Sequence, residues 1–197
     1  MRSYKKLLLA ATALVLMSAD SPVKNTYILA KGYTVSIHGT SNLHDWDERV
    51  NNVSGESSVS WSSNTSFDLT AMNIKMEVKS IKSTEGSMMN NNTYKALKAD
   101  DHPEIVFALA TQLPGIPVDA KGKVIAAKVN LSIAGVTKTV DMSVTVTAVS
   151  HGNIAFEGSK TIKMTDYGVK PPVAMLGTMK TGDEITIHFK TVFAVKQ

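Results

Sequence analysis

Ile125-Ala126-Ala127-Lys128-Val129-Asn130-Leu131-Ser132-Ile133, followed by Val140-Asp141-Met142-Ser143-Val144-Thr145-Val146-Thr147-Ala148, decides the fold class of this chain. In the first run Ile125, Ala127, Val129, Leu131 and Ile133 alternate with Lys128, Asn130 and Ser132. In the second, Val140, Met142, Val144, Val146 and Ala148 alternate with Asp141, Ser143, Thr145 and Thr147. Successive side chains of a strand point to opposite faces, so each run has one apolar and one polar face. The same period extends outward in both directions. Towards the N-terminus it runs through Ile105, Phe107 and Leu109, then Met72-Asn73-Ile74-Lys75-Met76-Glu77-Val78, then Tyr33, Val35 and Ile37. Towards the C-terminus it continues in Ile154, Phe156 and Ile162 and closes with Ile185, Ile187 and Phe189. The class predicted is all-β.

Several of these runs exceed the usual strand length of about 5–6 residues. The turns between them are short, as at Ala134-Gly135-Val136-Thr137 and Ser150-His151-Gly152-Asn153. Long strands with short turns favour a single antiparallel up-and-down β-barrel, lipocalin-like in plan, over a sandwich of short strands. One helix is predicted over 92–99, capped by Asn92 or Thr93 and stopped before Pro103. Residues 80–91, 111–122 and 165–182 read as irregular. There is no internal repeat and no linker, so residues 20–197 form one domain.

Residues 1–19 read as an export signal. Arg2, Lys5 and Lys6 precede an apolar run from Leu7 to Met17, and Ser18-Ala19 supply small residues for cleavage, although Met17 then occupies the −3 position. The apolar run falls short of the roughly 20 residues that span a bilayer, and no later segment is long and apolar enough for a transmembrane helix. The mature chain is expected to begin near Asp20 and to be periplasmic or secreted. Cleavage leaves 178 of the 197 residues and removes three cations but no acid, so the net charge falls from +4 to +1. The pI of about 9.2 is largely a property of that segment, and no basic face for a nucleic acid remains. The chain has no cysteine. Burial and hydrogen bonds must hold it without disulfides, and no lipid anchor can attach at a cysteine.

Candidate chemistry is sparse. Ser41, His44 and Asp45 suggest a nucleophilic relay, but Gly39-Thr40-Ser41-Asn42-Leu43 lacks the second glycine of a nucleophile elbow. Adjacent His44 and Asp45 would also point to opposite sides, and a polar strand end is the plainer reading. Asp100, Asp101 and His102 have no second cluster at ligand spacing, so they read as a solvated helix end. His38 and His188 fall opposite the apolar set. No glycine-rich phosphate loop occurs, and the sequons at Asn52, Asn64, Asn91 and Asn130 carry little meaning if the source is bacterial. No catalytic residue, metal ligand or cofactor is expected, and the chain is read as a non-enzyme. Trp46 and Trp61 are expected to close the barrel or pack beneath a loop.

The apolar face admits two readings, a core filled by side chains or a cavity that takes an apolar guest. A barrel of about eight strands is just wide enough for either. Met72, Met76 and Met142 supply flexible, polarizable side chains suited to an elongated guest. The expected lumen lining is Val35, Ile37, Met72, Ile74, Met76, Val78, Phe107, Val129, Leu131, Met142, Val144, Phe156 and Ile187. Two alternatives stay open: a small outer-membrane β-barrel, disfavoured by the shortage of aromatic girdles, and a hydrolase built on Ser41 and His44. A homodimer is neither required nor excluded.

An ordered set of segments resembles the YceI-like family of lipocalin-like, polyisoprenoid-binding proteins. It runs from Ile37-His-Gly39-Thr40-Ser41-Asn42-Leu43-His44-Asp45-Trp46, similar to the opening motif of the Bacteroidetes-type members, through Met88-Met-Asn90 and Tyr94-Lys-Ala-Leu97-Lys98. It continues in His102-Pro103-Glu-Ile105-Val-Phe107, Leu131-Ser-Ile133-Ala-Gly135-Val136-Thr137-Lys138 and Asp166-Tyr167-Gly168-Val169, and ends in Gly177-Thr-Met-Lys-Thr-Gly182-Asp183-Glu-Ile185-Thr-Ile187. The resemblance implies an extended barrel with a short helical cap and an isoprenoid or similar apolar lipid as the partner in its lumen. Two features depart from the family pattern: no Asp-x-x-His-Ser precedes Tyr33, and Met164 stands where an arginine often precedes the Asp-Phe-Gly-Val segment. A headgroup different from the family's usual one, or none, is the corresponding expectation.

Overall fold

The computed structural model describes residues 24–174 and 177–196; the export-signal reading of residues 1–19 lies outside them. Alternating apolar residues pair into antiparallel strands throughout. These are β1 (Lys24–Leu29), β2 (Thr34–Ser41), β3 (Trp46–Val50), β4 (Val53–Ser63), β5 (Ser66–Glu77), β6 (Ile81–Ser83), β7 (Glu104–Leu109), β8 (Leu113–Pro117), β9 (Lys123–Ile133), β10 (Val136–Ala148), β11 (Ile154–Lys163), β12 (Val173–Ala174) and β13 (Met179–Val195). Among the described residues a single α-helix, α1 (Ser87–Ala96), lies between β6 and β7.

These strands make eight staves of a closed up-and-down barrel. One edge of β13 pairs with β11; the other pairs with β2 through Thr181–Lys190 and with β1 through Phe193–Val195. Thus β1 and β2 are successive halves of one stave, broken at residues 30–33. In the same way β3 and β4 form the next, paired to β2 and β1, and β5 and β6 the third, broken by a 3-10 turn at Val78–Ser80. β7 and β8 share the far edge of β5. β9, β10, β11 and β13 complete the ring, and the short β12 pairs only with β13.

The upper end carries the loop 42–45, α1, the β9–β10 hairpin and a 3-10 turn at Met164–Tyr167. The hairpin turns on Ala134 and Gly135, both with positive φ (48° and 85°), the geometry of a two-residue hairpin whose twist matches its strands. A Cβ on Gly135 would lie 2.6 Å from the His102 ring, which packs on the hairpin tip. The lower end carries the hairpin at residues 64–65, the loop 118–122 and the segment 149–153.

The apolar faces point inward and the charged faces outward. Lys75 with Glu104 (2.9 Å), Lys128 with Asp141 (2.7 Å) and Lys190 with Glu157 (3.2 Å) form exposed cross-strand ion pairs on the outer surface. A membrane-spanning barrel needs the inverse, an apolar outer band, so the outer-membrane alternative does not hold. Among the described residues no helix is long and apolar enough to cross a membrane.

The helix departs from its sequence expectation. It begins at Ser87 rather than Asn92 and ends at Ala96, and no side chain caps its N-terminus at Gly86. The run Ser87-Met-Met-Asn-Asn-Asn has little helix propensity and gives no local signal. Beyond Ala96 the chain makes tight turns, with Lys98 in the left-handed region (φ 53°). Tyr94 fastens the helix to the barrel, its hydroxyl lying 2.8 Å and 2.9 Å from the carbonyl oxygens of Lys79 and Ile81.

Candidate ligand-binding lumen

Two apolar clusters fill the barrel differently. In the lower half Tyr27, Val59, Phe67, Val146, Ile154 and Phe193 are sealed from solvent. Phe156 meets Phe193 edge-on at 5.7 Å, and Trp61 tilts against Phe67 at 5.3 Å. The indole Nε1 of Trp61 donates to Tyr27 Oη (2.8 Å), whose hydroxyl donates to the Gly152 carbonyl. In the upper half Ile74, Met76, Phe107, Ile185, Ile187 and Phe189 are only partly buried and, with Met72, Val129, Met142, Val144 and Phe156 from the top of the lower cluster, surround a cavity of about 170 Å³. That is narrower than the roughly 300–1,000 Å³ of most ligand pockets, so a long guest requires the mobile side chains of Met72, Met76, Met89, Met142 and Met164 on its wall to move.

Every residue of the expected lining except Val78 stands on this wall: Val35, Ile37, Met72, Ile74, Met76, Phe107, Val129, Leu131, Met142, Val144, Phe156 and Ile187. Alternation places Val78 on the inner face only if β5 continues. The strand ends at Glu77, and Val78 opens the 3-10 turn, buried in the upper cluster with its N–H donating to the Pro103 carbonyl (2.9 Å).

Several wall residues went unread in the sequence. Met89, Thr93, Ala96 and Leu97 form one stripe of α1 and its C-cap turned to the cavity. Trp46 lies flat over Gly39, where any Cβ would meet the indole at 2.2 Å, and its Nε1 donates to the Thr40 carbonyl (3.1 Å). It packs structurally, as expected, and also lines the cavity. Glu48 is 2% exposed, and the hydroxyl of Thr93 donates to its Oε1 at 2.6 Å. Burial pushes its carboxyl above the ordinary value, the Thr93 hydrogen bond opposes this, and Glu85 adds to the rise. The alternation Trp46-Glu48-Val50 against Asp47 and Arg49 is the signal that places Glu48 inward.

Tyr167 also stands on the wall, at the end of the 3-10 turn. Asp183 fixes the start of that turn, accepting from Thr165 N–H (2.9 Å) and Thr165 Oγ1 (2.6 Å), contacts that hold its carboxyl below the usual range. Lys138 ties the turn to β10 through Asp166 at 3.3 Å. The β10–β11 ladder stops at Val144 and Gly158. Above it, Lys160 passes its ammonium to the Asp141 carbonyl (2.7 Å), an exposed contact.

The other candidates are not assembled for chemistry. Ser41 Oγ donates to the His44 carbonyl (2.8 Å) and accepts the N–H groups of Leu43 and His44, so it closes a turn. The His44 ring donates from Nδ1 to the Asp45 carbonyl (2.8 Å) and lies 3.5 Å from Glu85. Asp100 pairs with Lys79 in solvent at 2.7 Å. His188 is exposed; His38, part-exposed, meets Asp47 at 3.1 Å.

An eight-staved antiparallel barrel with an apolar lumen and a helical cap defines the lipocalin-like class of β-barrels. The YceI-like domain matches residues 27–193, and the chain belongs to that family. No curated protein sequence matches it. Three solved structures are similar in fold. BcnA of Burkholderia cenocepacia is 20% identical with a TM-score of 0.64, over 81% of this chain and 95% of its own. A polyisoprenoid binding domain from Saccharophagus degradans, implicated in plant cell wall breakdown, is 13% identical with a TM-score of 0.67, over 87% and 99%. The YceI protein of Campylobacter jejuni is 16% identical with a TM-score of 0.54, over 76% and 84%.

Proposed function

We propose that this chain is an exported, non-catalytic protein that binds and carries a long apolar lipid, of polyisoprenoid, isoprenoid-quinone or fatty-acid-like kind, within its lumen. The carrying observation is the upper cavity, walled almost wholly by hydrocarbon and methionine inside a barrel whose outer face is charged. Each methylene withdrawn from water contributes about 0.8 kcal/mol, so a long tail needs few polar contacts. Family membership and the polyisoprenoid-binding neighbour support the same ligand class. The charge and hydropathy pattern of residues 1–19 supports a periplasmic or secreted location.

The test is extraction of the protein purified from its own periplasm, with native mass spectrometry of the intact complex. A co-purifying apolar lipid in near-stoichiometric amount is expected. Protein that is lipid-free as isolated and takes up no added prenol would overturn the reading.

A further inference from the structure

We propose that the upper end of the lumen is a headgroup site for an uncharged oxygen function, an alcohol or a quinone-type carbonyl. Tyr167 donates its hydroxyl to that oxygen, and the Glu48–Thr93 pair supplies the second polar contact. The inference rests on the lipid-lumen reading and narrows it.

Tyr167 is 2% exposed, and its hydroxyl has no hydrogen-bond partner among the described residues. Buried hydroxyls are normally satisfied. The other two such orphans, on Ser57 and Ser60, do not belong to the cavity wall, whereas Tyr167 does. Its place is not incidental, since Asp183 and Lys138 both anchor the turn that carries it. Glu48 is the only acid among the described wall residues, equally buried, and burial favours its neutral form, which both donates and accepts hydrogen bonds.

The wall is poor in what a phosphate requires. Phosphates are held by arginine forks, lysines or clustered N–H donors. Among the described lining residues the only cation is Lys160, whose ammonium is turned to the Asp141 carbonyl. An anionic headgroup would meet Glu48 without compensation. An alcohol or carbonyl oxygen matches one hydroxyl donor and one buried carboxyl already paired with the Thr93 hydroxyl.

Titration of Trp46 fluorescence with four probes of equal chain length tests this: a prenol, the matching prenylated quinone, the prenyl phosphate and the hydrocarbon without a headgroup. Wild type should bind the prenol or the quinone more tightly than the phosphate. Tyr167→Phe should weaken the preferred oxygen probe about three- to tenfold and leave hydrocarbon binding unchanged. Whichever of alcohol and quinone loses more identifies the headgroup. Glu48→Leu, which deletes the second polar contact, should weaken the same probe about three- to tenfold and leave hydrocarbon binding unchanged. Unchanged affinity of Tyr167→Phe for both oxygen probes, tighter binding of the phosphate by wild type, or unchanged oxygen-probe binding in Glu48→Leu overturns the headgroup site while leaving the lumen intact. Failure of wild type to take up any probe, the hydrocarbon included, sinks the lumen reading itself. Tyr167→Phe removes an unpaired buried hydroxyl, so it should melt no lower than wild type.

Discussion

The lower and upper halves of this barrel share one set of strands yet are built to different ends. Below, Tyr27, Phe67, Ile154 and Phe193 interlock without space, and the polar atoms of Trp61 and Tyr27 close the end in a hydrogen-bonded chain. Above, the same alternation surrounds a cavity, and several wall side chains, Ile74, Met76, Phe107 and Ile187 among them, stay partly accessible. Alternation therefore specifies which way a side chain points, not whether its neighbours meet it. Filling is decided by how the rings meet: Tyr27, Trp61, Phe67, Phe156 and Phe193 contact one another below, while Trp46, Phe107, Tyr167 and Phe189 stand around the cavity wall with space between them.

The largest expected effect lies in the lower half. Phe193→Ala removes a fully buried ring from its edge-on contact with Phe156 and should cost about 3–5 kcal/mol in urea unfolding. A cost near that of an exposed site would mean that the lower half is not the solid plug described. Met76→Lys probes the upper half. Burying an unpaired ammonium is costly, but on a cavity wall water can enter with it. The variant should keep its circular dichroism and lose bound lipid by about tenfold or more. Lys75→Glu, on the outer face of the same strand, should leave lipid content unchanged. Unfolding of Met76→Lys would erase the contrast between the halves, and a folded variant with normal lipid content would remove Met76 from the site.

The inward direction of the wall residues was legible in the sequence, the split into plug and cavity was not, and the reasons for the gaps are physical. Inward residues such as Ile74, Leu131 and Val144 were readable because strand period is rigidly two. Val78 was misplaced because nothing in Glu77-Val78-Lys79-Ser80 marks the break from strand to 3-10 turn. The start of α1 was hidden in an asparagine run with no cap, and Thr93, a natural capping residue, is engaged instead by Glu48, 45 positions away. Tyr167 reaches the lumen through a turn whose anchor, Asp183, is equally remote from local pattern. Contacts of this kind are set by the closed barrel and have no local signature.

Glu48 sharpens the comparison through pH. Its carboxyl is raised from the ordinary value of 4.5, chiefly by burial. The folded state thus binds its proton more tightly than the unfolded chain does. The stability it contributes is fully present below the ordinary value and is lost as the pH rises through the raised one. Glu48→Gln keeps an oxygen for the Thr93 hydroxyl and removes that titration. The variant should be more stable than wild type at neutral pH, with the gap closing as the pH falls towards 4.5. Parallel stability profiles from pH 4 to 8 would show that the upper wall does not desolvate this acid.

The smallest effect is expected at Ser57, on β4 and 1% exposed, whose hydroxyl lacks a partner among the described residues. It pairs across the ladder with Tyr27 and Met72, at the level where the plug gives way to the cavity. A buried hydroxyl without a partner loses its hydration and gains no bond in return. Ser57→Ala deletes that hydroxyl and leaves the Cβ in place, so no large cavity opens. In a tightly packed, dry environment the variant should gain up to about 1 kcal/mol in urea unfolding. If water reaches this level of the barrel it satisfies the hydroxyl, and the substitution should then be neutral or slightly destabilising. The sign of this one change therefore locates the boundary between plug and cavity. Stabilisation puts it above Ser57, and a loss moves it below, enlarging the lumen at the expense of the core.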